Sequence, residues 1–239
     1  MQRFHARSRC VTRAEKAARI QRILDRLYPE PPIPLDHRDP FTLLVAVVLS
    51  AQCTDANVNE ATARLFAAAR TPEAMVALGE AGVQPLIRSI GLWRAKAANI
   101  VALSRLLLER HGGAVPDDRD ALTALPGVGR KTANVVLNVW FGHETFAVDT
   151  HAQRVSNRLG LCRTNAPEQT ERALEARVPA PHRRHAHAYL VLHGRYTCTA
   201  RAPRCDGCPA ATWCRRVGVA TAPPPGRARS RPARDRAPP

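Results

Sequence analysis

No stretch of this sequence is apolar for long enough to span a membrane. The run Phe41 to Ala51, FTLLVAVVLSA, is too short and reads as a buried element. The N-terminus lacks the apolar core of a secretory signal, so the chain is expected to be soluble and cytoplasmic. Aromatic residues are scarce, at 5%, and Ala and Leu dominate the apolar set, which favours helix. Alternating strand patterns are missing, and no repeat of solenoid length recurs. Acidic residues are few: 20 Asp and Glu stand against 36 Lys and Arg, a net charge of +16 with neutral histidines. The cysteines number seven, an odd count, and in a reducing compartment they suit ligands or free thiols better than disulfides.

What is present is enough apolar material, 45% of 239 residues, for one large domain or two small ones. The basic excess points to a polyanionic partner, most often nucleic acid. Part of it sits in the tails. Residues 1–19 contribute +5 and residues 222–239 contribute +4, which leaves +7 for the body.

Helix signals run the length of the chain. Thr12 with Glu15 forms a capping box, followed by Ile20, Ile23, Leu24 and Leu27 on one face. Asp39-Pro40 opens the next helix, whose apolar run could be a strand by pattern alone. Thr54 or Asp55 caps a helix reaching about Ala67, and Thr71-Pro72-Glu73 starts another. Trp93 to Arg110 is long and periodic and stops at Gly112. Asp117 or Asp118 caps a short helix ending at Leu125. Further helices are expected over Thr150 to Leu159, Pro167 to Val178 and Pro181 to Tyr196. The expected fold is all-α with short loops. From Thr221 onward the chain is rich in Pro and Arg and reads as a disordered tail.

Leu125 to Val136 reads LPGVGRKTANVV. Two helices joined by Pro126-Gly127-Val128-Gly129 make a helix-hairpin-helix. Its glycines permit positive φ and close approach of another backbone. The second helix then offers free N–H groups and its positive dipole to an anion such as a DNA phosphate, without reading a base. Arg130 adds a cation at the same place. Ala133, Val136, Leu137 and Trp140 form that helix's apolar stripe, and Lys131 lies about 200° from Ala133. Lys131 thus shares a polar face with Asn134 and Asn138 and looks into water or a cleft. A cation at a helix N-terminus is poorly placed, because the dipole and Arg130 both disfavour the ammonium. A neutral amine there could attack a sugar C1′ and form a Schiff base. A simple phosphate contact explains the lysine equally well. Asp149, 18 residues on in FAVDTHAQRV, N-caps the following helix. Its carboxylate is either a cap only, or a group that stabilises a developing positive charge or assists proton transfer.

Cys198, Cys205, Cys208 and Cys214 form C-x6-C-x2-C-x5-C, a metal-site pattern within 17 residues. A zinc site usually shows two paired knuckles, whereas one pair with two single flanking ligands suits a cubane iron–sulfur cluster. Spacing leaves both metals open. Arg201 and Arg204 lie in the loop between the first two ligands, where they could grip phosphates. Cys10, Cys53 and Cys162 are scattered and need no function. His182, His185, His187 and His193 do not share a face; His193 falls on the apolar stripe as a core histidine, and the others are expected to be exposed.

LPGVGRKTANVVLN, AVDTHAQRV, LHGRYTC and the four-cysteine run together resemble the endonuclease III family, bifunctional DNA glycosylase/AP lyases of base-excision repair. SAQCTD (Ser50 to Asp55) and IGLWRAKA (Ile90 to Ala97) are similar to family segments too. The likeness covers roughly Ala14 to Arg216. It implies an all-α protein of two helical lobes with a DNA-binding cleft between them. Residues 33–143 would form a six-helix barrel with the hairpin at 119–138. Residues 14–32 and 144–216 would form an iron–sulfur lobe, flanked by tails at 1–13 and 217–239. The resemblance implies that Lys131 is the Schiff-base nucleophile and Asp149 its acidic partner. Gln52 and Leu92 would fill the duplex where a damaged nucleotide is flipped out, and Gly127, Gly129, Arg130 and His151 would also contact DNA. The four cysteines would ligate a [4Fe-4S] cluster. The implied substrate is damaged double-stranded DNA, bound by a monomer of bacterial type. The implied reaction is removal of oxidised pyrimidines and β-elimination at the abasic site. Cys53, Trp93 and the pair Ala152-Gln153 depart from the family pattern, the first two beside the gap-filling positions. A monofunctional glycosylase acting on mispaired adenine would need no lysine and would usually carry a further C-terminal domain. A non-enzymatic DNA-binding module would need neither Lys131 nor Asp149.

Overall fold

The computed structural model describes residues 11–31 and 33–219. The expected disordered tail from Thr221, most of the basic N-terminal segment and Cys10 lie outside the described residues. Among the described residues ten α-helices follow in order: α1 Arg13–Leu27, α2 Pro40–Ser50, α3 Asp55–Ala68, α4 Pro72–Leu86, α5 Trp93–His111, α6 Arg119–Thr123, α7 Arg130–Val139, α8 Thr150–Leu159, α9 Pro167–Arg177 and α10 Arg183–Tyr196. No strand is present among the described residues, and no helix among them is long and apolar enough to cross a membrane.

Local chemistry explains most of the boundaries. Thr12 and Glu15 close a reciprocal capping box on α1, which satisfies two N–H groups of its first turn. Asp39 caps α2, with Pro40 in its first turn. Thr54, Thr71 and Asp118 each accept a hydrogen bond from the backbone three residues on. Gly112 ends α5 in the left-handed conformation. Two boundaries differ from expectation. Gly79 interrupts α4 with non-helical angles, and Ala180–His182 is a 3-10 turn, so α10 begins at Arg183 instead of Pro181.

The buried apolar side chains fall into two clusters. The first runs from Leu35 to Leu137 and is built by α2 to α7. Helix α2 lies at its centre: Phe41 through Leu49 are all buried, which resolves the helix-or-strand ambiguity in favour of a core helix apolar all round. The second cluster joins Ala17, Ile20 and Leu24 of α1 to residues of α8, α9 and α10 and to Phe146, Val148, Leu161 and Ala210. Each fully buried Leu or Ile contributes roughly 1.5–3 kcal/mol. The chain passes from one cluster to the other through residues 142–148, a segment without regular structure that leads into Asp149.

Candidate active site

Helices α6 and α7 and the turn between them form the hairpin. Leu125 and Val128 are buried and bracket the turn, and the Val128 N–H donates to the Leu125 carbonyl at 3.1 Å. Gly127 has φ +77°, and a Cβ there would sit 2.9 Å from the Asn99 side chain, so glycine is required twice over. Gly129 differs from expectation. Its φ is −88°, and a Cβ would meet nothing within 4 Å. It N-caps α7 without any side-chain hydrogen bond, so the first-turn N–H groups of α7 remain available to a group from outside.

The chain contains three lysines: Lys16, Lys96 and Lys131. The Lys16 ammonium donates to the Leu159 carbonyl. Lys96 donates to the carbonyls of Leu49 and Ala51. Lys131 alone is exposed, in the first turn of α7. Its expected polar face is corrected by the structure. Asn134 is buried, with its Nδ2 donating to the Phe146 carbonyl at 3.1 Å, while the Thr145 hydroxyl donates to the Asn134 carbonyl at 2.7 Å. Asn138 donates to the carbonyls of His143 and Arg184. These two side chains turn toward the second lobe, not toward water, and stitch α7 to the segment that leads into Asp149. Trp140, expected on the apolar stripe, is 42% exposed because α7 ends there.

Asp149 N-caps α8 as expected, with its Oδ1 accepting from the Ala152 N–H at 2.8 Å. Its carboxylate is only half-buried. His187 lies within electrostatic reach of both Asp149 and Lys131. Burial pushes the His187 pKa down to about 4; the Asp149 carboxylate pulls it up and the Lys131 ammonium pushes it down. The imidazole is therefore neutral near pH 7. The expectation that His182, His185 and His187 are exposed is not met: all three are half-buried. Sequence reasoning missed His187 because it lies beside the apolar stripe of α10, and its neighbours come from α7 and α8. His193 is a core histidine as expected, with burial lowering its pKa to about 4.

Arg130 was expected to face phosphate. Its guanidinium instead donates to both carboxylate oxygens of Glu171 on α9, at 2.8 and 3.0 Å. Arg119 of α6 approaches the same carboxylate at 3.5 Å. Glu171 is buried, so a carboxylate of the second lobe holds both helices of the hairpin. The reason is electrostatic: a buried carboxylate needs charged partners more than a surface arginine needs a phosphate.

Gln52 and Leu92 lie in the turns before α3 and α5. Both have left-handed backbones, with φ +57° and +60°, a costly state for residues other than glycine. Leu92 is 66% exposed, unusual for so apolar a side chain. His151 of α8 faces α10 so closely that a Cβ on Gly194 would lie 2.9 Å from its own Cβ. Its Nδ1 is 3.2 Å from the Arg154 guanidinium, which also donates to the carbonyls of Gly194 and Cys198.

Cys198, Cys205, Cys208 and Cys214 line one cavity, together with Arg158, Leu159 and His193. Four thiols spread around a common cavity suit a polynuclear cluster, in which each iron takes one thiolate. Donors already point at the sulfurs: Arg158 lies 3.5 Å from the Cys198 Sγ, and the Arg216 N–H donates to the Cys214 Sγ at 3.3 Å. Arg201 and Arg204 are exposed on the adjacent loop.

The model of the HhH-GPD superfamily of base excision DNA repair proteins matches residues 45–180. The chain is 54% identical to endonuclease III of Escherichia coli strain K12 over 196 residues, covering 81% of this chain and 92% of that protein. It is 48% identical to endonuclease III of Bacillus subtilis strain 168 over 200 residues, covering 82% and 91%. A solved structure of a trapped endonuclease III–DNA covalent intermediate matches with a TM-score of 0.80 and 45% identity, over 87% of this chain and 97% of that one. A thermostable thymine-DNA glycosylase shares the fold with a TM-score of 0.75 and 25% identity. Likeness of this depth, sustained over some four fifths of the sequence, makes the protein a member of the endonuclease III family of base-excision DNA repair proteins.

Proposed function

We propose that this chain removes oxidised pyrimidines from damaged duplex DNA and cleaves the resulting abasic site through a Schiff base on Lys131. The observation that carries the reading is the isolation of Lys131. Of three lysines it alone is exposed, on an uncapped helix N-terminus, and its charge, like that of Asp149, reaches His187. Its unprotonated amine attacks C1′ of the flipped nucleotide, and the base leaves with a proton. Asp149 stabilises the positive charge that develops on the sugar. Cleavage of the C1′–O4′ bond, with a proton passing to O4′, opens the sugar and leaves an iminium on Lys131, which acidifies the C2′ proton; removal of that proton and departure of the 3′ phosphate break the strand. The free N–H groups after Gly129 and the space at its Cα hold a backbone phosphate. Gln52 and Leu92 enter the gap left by the extruded nucleotide, and His151 stands near the site at the start of α8. Arg130 acts through Glu171 and not through a phosphate.

Cys198, Cys205, Cys208 and Cys214 would hold a [4Fe-4S] cluster. When bound it supplies a four-point crosslink of the 198–214 loop, which carries Arg201 and Arg204 toward DNA. The protein acts as a monomer in the cytoplasm. Sodium borohydride is expected to trap the chain covalently on abasic DNA. Lys131→Ala is expected to abolish trapping while leaving binding within about three-fold. Persistent trapping in that variant refutes the nucleophile assignment.

A further inference from the structure

Lys96 is an unusual residue to bury. Only 6% of it is exposed, and burial lowers its pKa. An ammonium in that setting has a desolvation cost that a methionine of similar length would not have. Its Nζ donates to the Leu49 carbonyl at 2.9 Å and to the Ala51 carbonyl at 2.6 Å. These carbonyls close the C-terminal end of α2, and Ala51 directly precedes the left-handed Gln52. Its backbone N–H makes the first i→i−4 bond of α5, to the Leu92 carbonyl at 3.0 Å, so the lysine stands one turn past the other left-handed residue. One residue thus touches the segments of two left-handed, exposed side chains, Gln52 and Leu92. A second tie runs parallel: Asn57 Nδ2 donates to the Ser89 carbonyl at 3.0 Å and lies 3.2 Å from the Cys53 sulfur, so it also spans the two turns.

We propose that Lys96 is a positioning residue for nucleotide extrusion, and that its ammonium fixes the separation and direction of the Gln52 and Leu92 turns. This rests on the reading that those two side chains fill the duplex. Left-handed backbone at a non-glycine residue persists only where its surroundings over-determine it; the Nζ bonds to Leu49 and Ala51 supply that constraint before Gln52, and they anchor the first turn of α5, which follows Leu92. Extrusion requires both side chains to arrive at one base step together, so a spacing error of an ångström affects opening of the stack more than chemistry at an already extruded sugar.

The test compares two substrates. One is a duplex holding a paired oxidised pyrimidine beside 2-aminopurine. The other is an abasic site in single-stranded DNA, where nothing has to be extruded. Lys96→Met is expected to slow single-turnover base removal on the duplex at least ten-fold and to suppress the 2-aminopurine rise. Borohydride trapping on the single strand should change less than three-fold. Asn57→Ala, made at a half-buried site and well placed to fold, should show the same pattern at about three-fold. Equal losses on both substrates overturn the proposal in favour of a general structural role, and so does an unchanged duplex rate. Gln52→Ala and Leu92→Ala run alongside. If they extrude normally, the gap-filling reading itself fails; if they are impaired while Lys96→Met is not, the role of Lys96 alone fails.

Discussion

Replacing Arg130 with methionine should cost more stability than replacing Glu171 with glutamine, although the two side chains are partners. The carboxylate is the buried member, with 4% of its side chain exposed; the Arg130 side chain is 39% exposed and that of Arg119 28%. Removing an arginine strands a charge that water cannot reach, whereas removing the carboxylate frees guanidinium groups that can turn into solvent. A hydrogen bond to a charged group contributes about 1.5–3 kcal/mol when buried. Arg130 makes two, both discounted for solvent screening at its exposed end. Arg119 still offsets part of the loss from 3.5 Å. We expect Arg130→Met to cost about 2 kcal/mol, Glu171→Gln about 1 kcal/mol, and the double variant little more than Glu171→Gln. For a chain of this size that corresponds to melting shifts of roughly 4–8 °C and 2–4 °C. Thermal melts of the four proteins give the coupling. The dependence of DNA affinity on salt, run on the same set, tests the other half. If Arg130 is committed to Glu171, Arg130→Met leaves the slope of log K against log salt unchanged. A phosphate contact would lower that slope by about 0.9. Additive stabilities together with a reduced slope would refute the arrangement.

Asp149→Asn should keep the cap on α8, because an amide oxygen can still accept from the Ala152 N–H. It should therefore melt within about 0.5 kcal/mol of the parent while losing at least about 100-fold in single-turnover rate, whereas Asp149→Ala loses about 1 kcal/mol as well. A normal rate in Asp149→Asn would reduce the residue to a cap. His187 is held near a pKa of about 4 against 6.5 in the unfolded chain. Between those values the unfolded state binds more protons, so stability falls as pH drops from about 6.5 toward 4, by up to about 1.4 kcal/mol per pH unit for this one group. His193 is lowered to about 4 as well, so His187→Asn should remove about half of the histidine-linked slope of denaturant-measured stability across that window, and an unaltered pH slope would show that the His187 imidazole is not shielded as described. Purified protein should carry about four irons and four sulfides per chain, and Cys208→Ala should lose them together with thermal stability. Zinc without iron would overturn the cluster.

Much of the helical frame is legible locally. Thr12 with Glu15, Asp39-Pro40, Thr54, Thr71-Pro72 and Gly112 each mark a boundary through contacts within a few residues. The hairpin, Lys131, the cap at Asp149 and the four-cysteine run are compact in the sequence for the same reason. Other features were illegible because their partners lie far away. Asn134 looks like a polar surface residue until Phe146 is placed against it. Arg130 looks like a phosphate ligand until Glu171, 41 residues on, takes its guanidinium. Lys96 shows no sign in its own neighbourhood that the end of α2, 45 residues earlier, is its acceptor.

Taken alone, the order of residues determined where helices start and stop, which face of most of them is apolar, and which side chains have the chemistry for a Schiff base or a metal. Those properties depend on propensity and spacing within one or two turns. Tertiary structure decided which cations are spoken for. Lys16, Lys96 and Arg130 are bound to carbonyls or a carboxylate brought in by other helices, and Lys131 is left exposed, its charge reaching the same imidazole as that of Asp149. The commitment of a charge depends on what surrounds it in space, and only the packed fold supplies those surroundings.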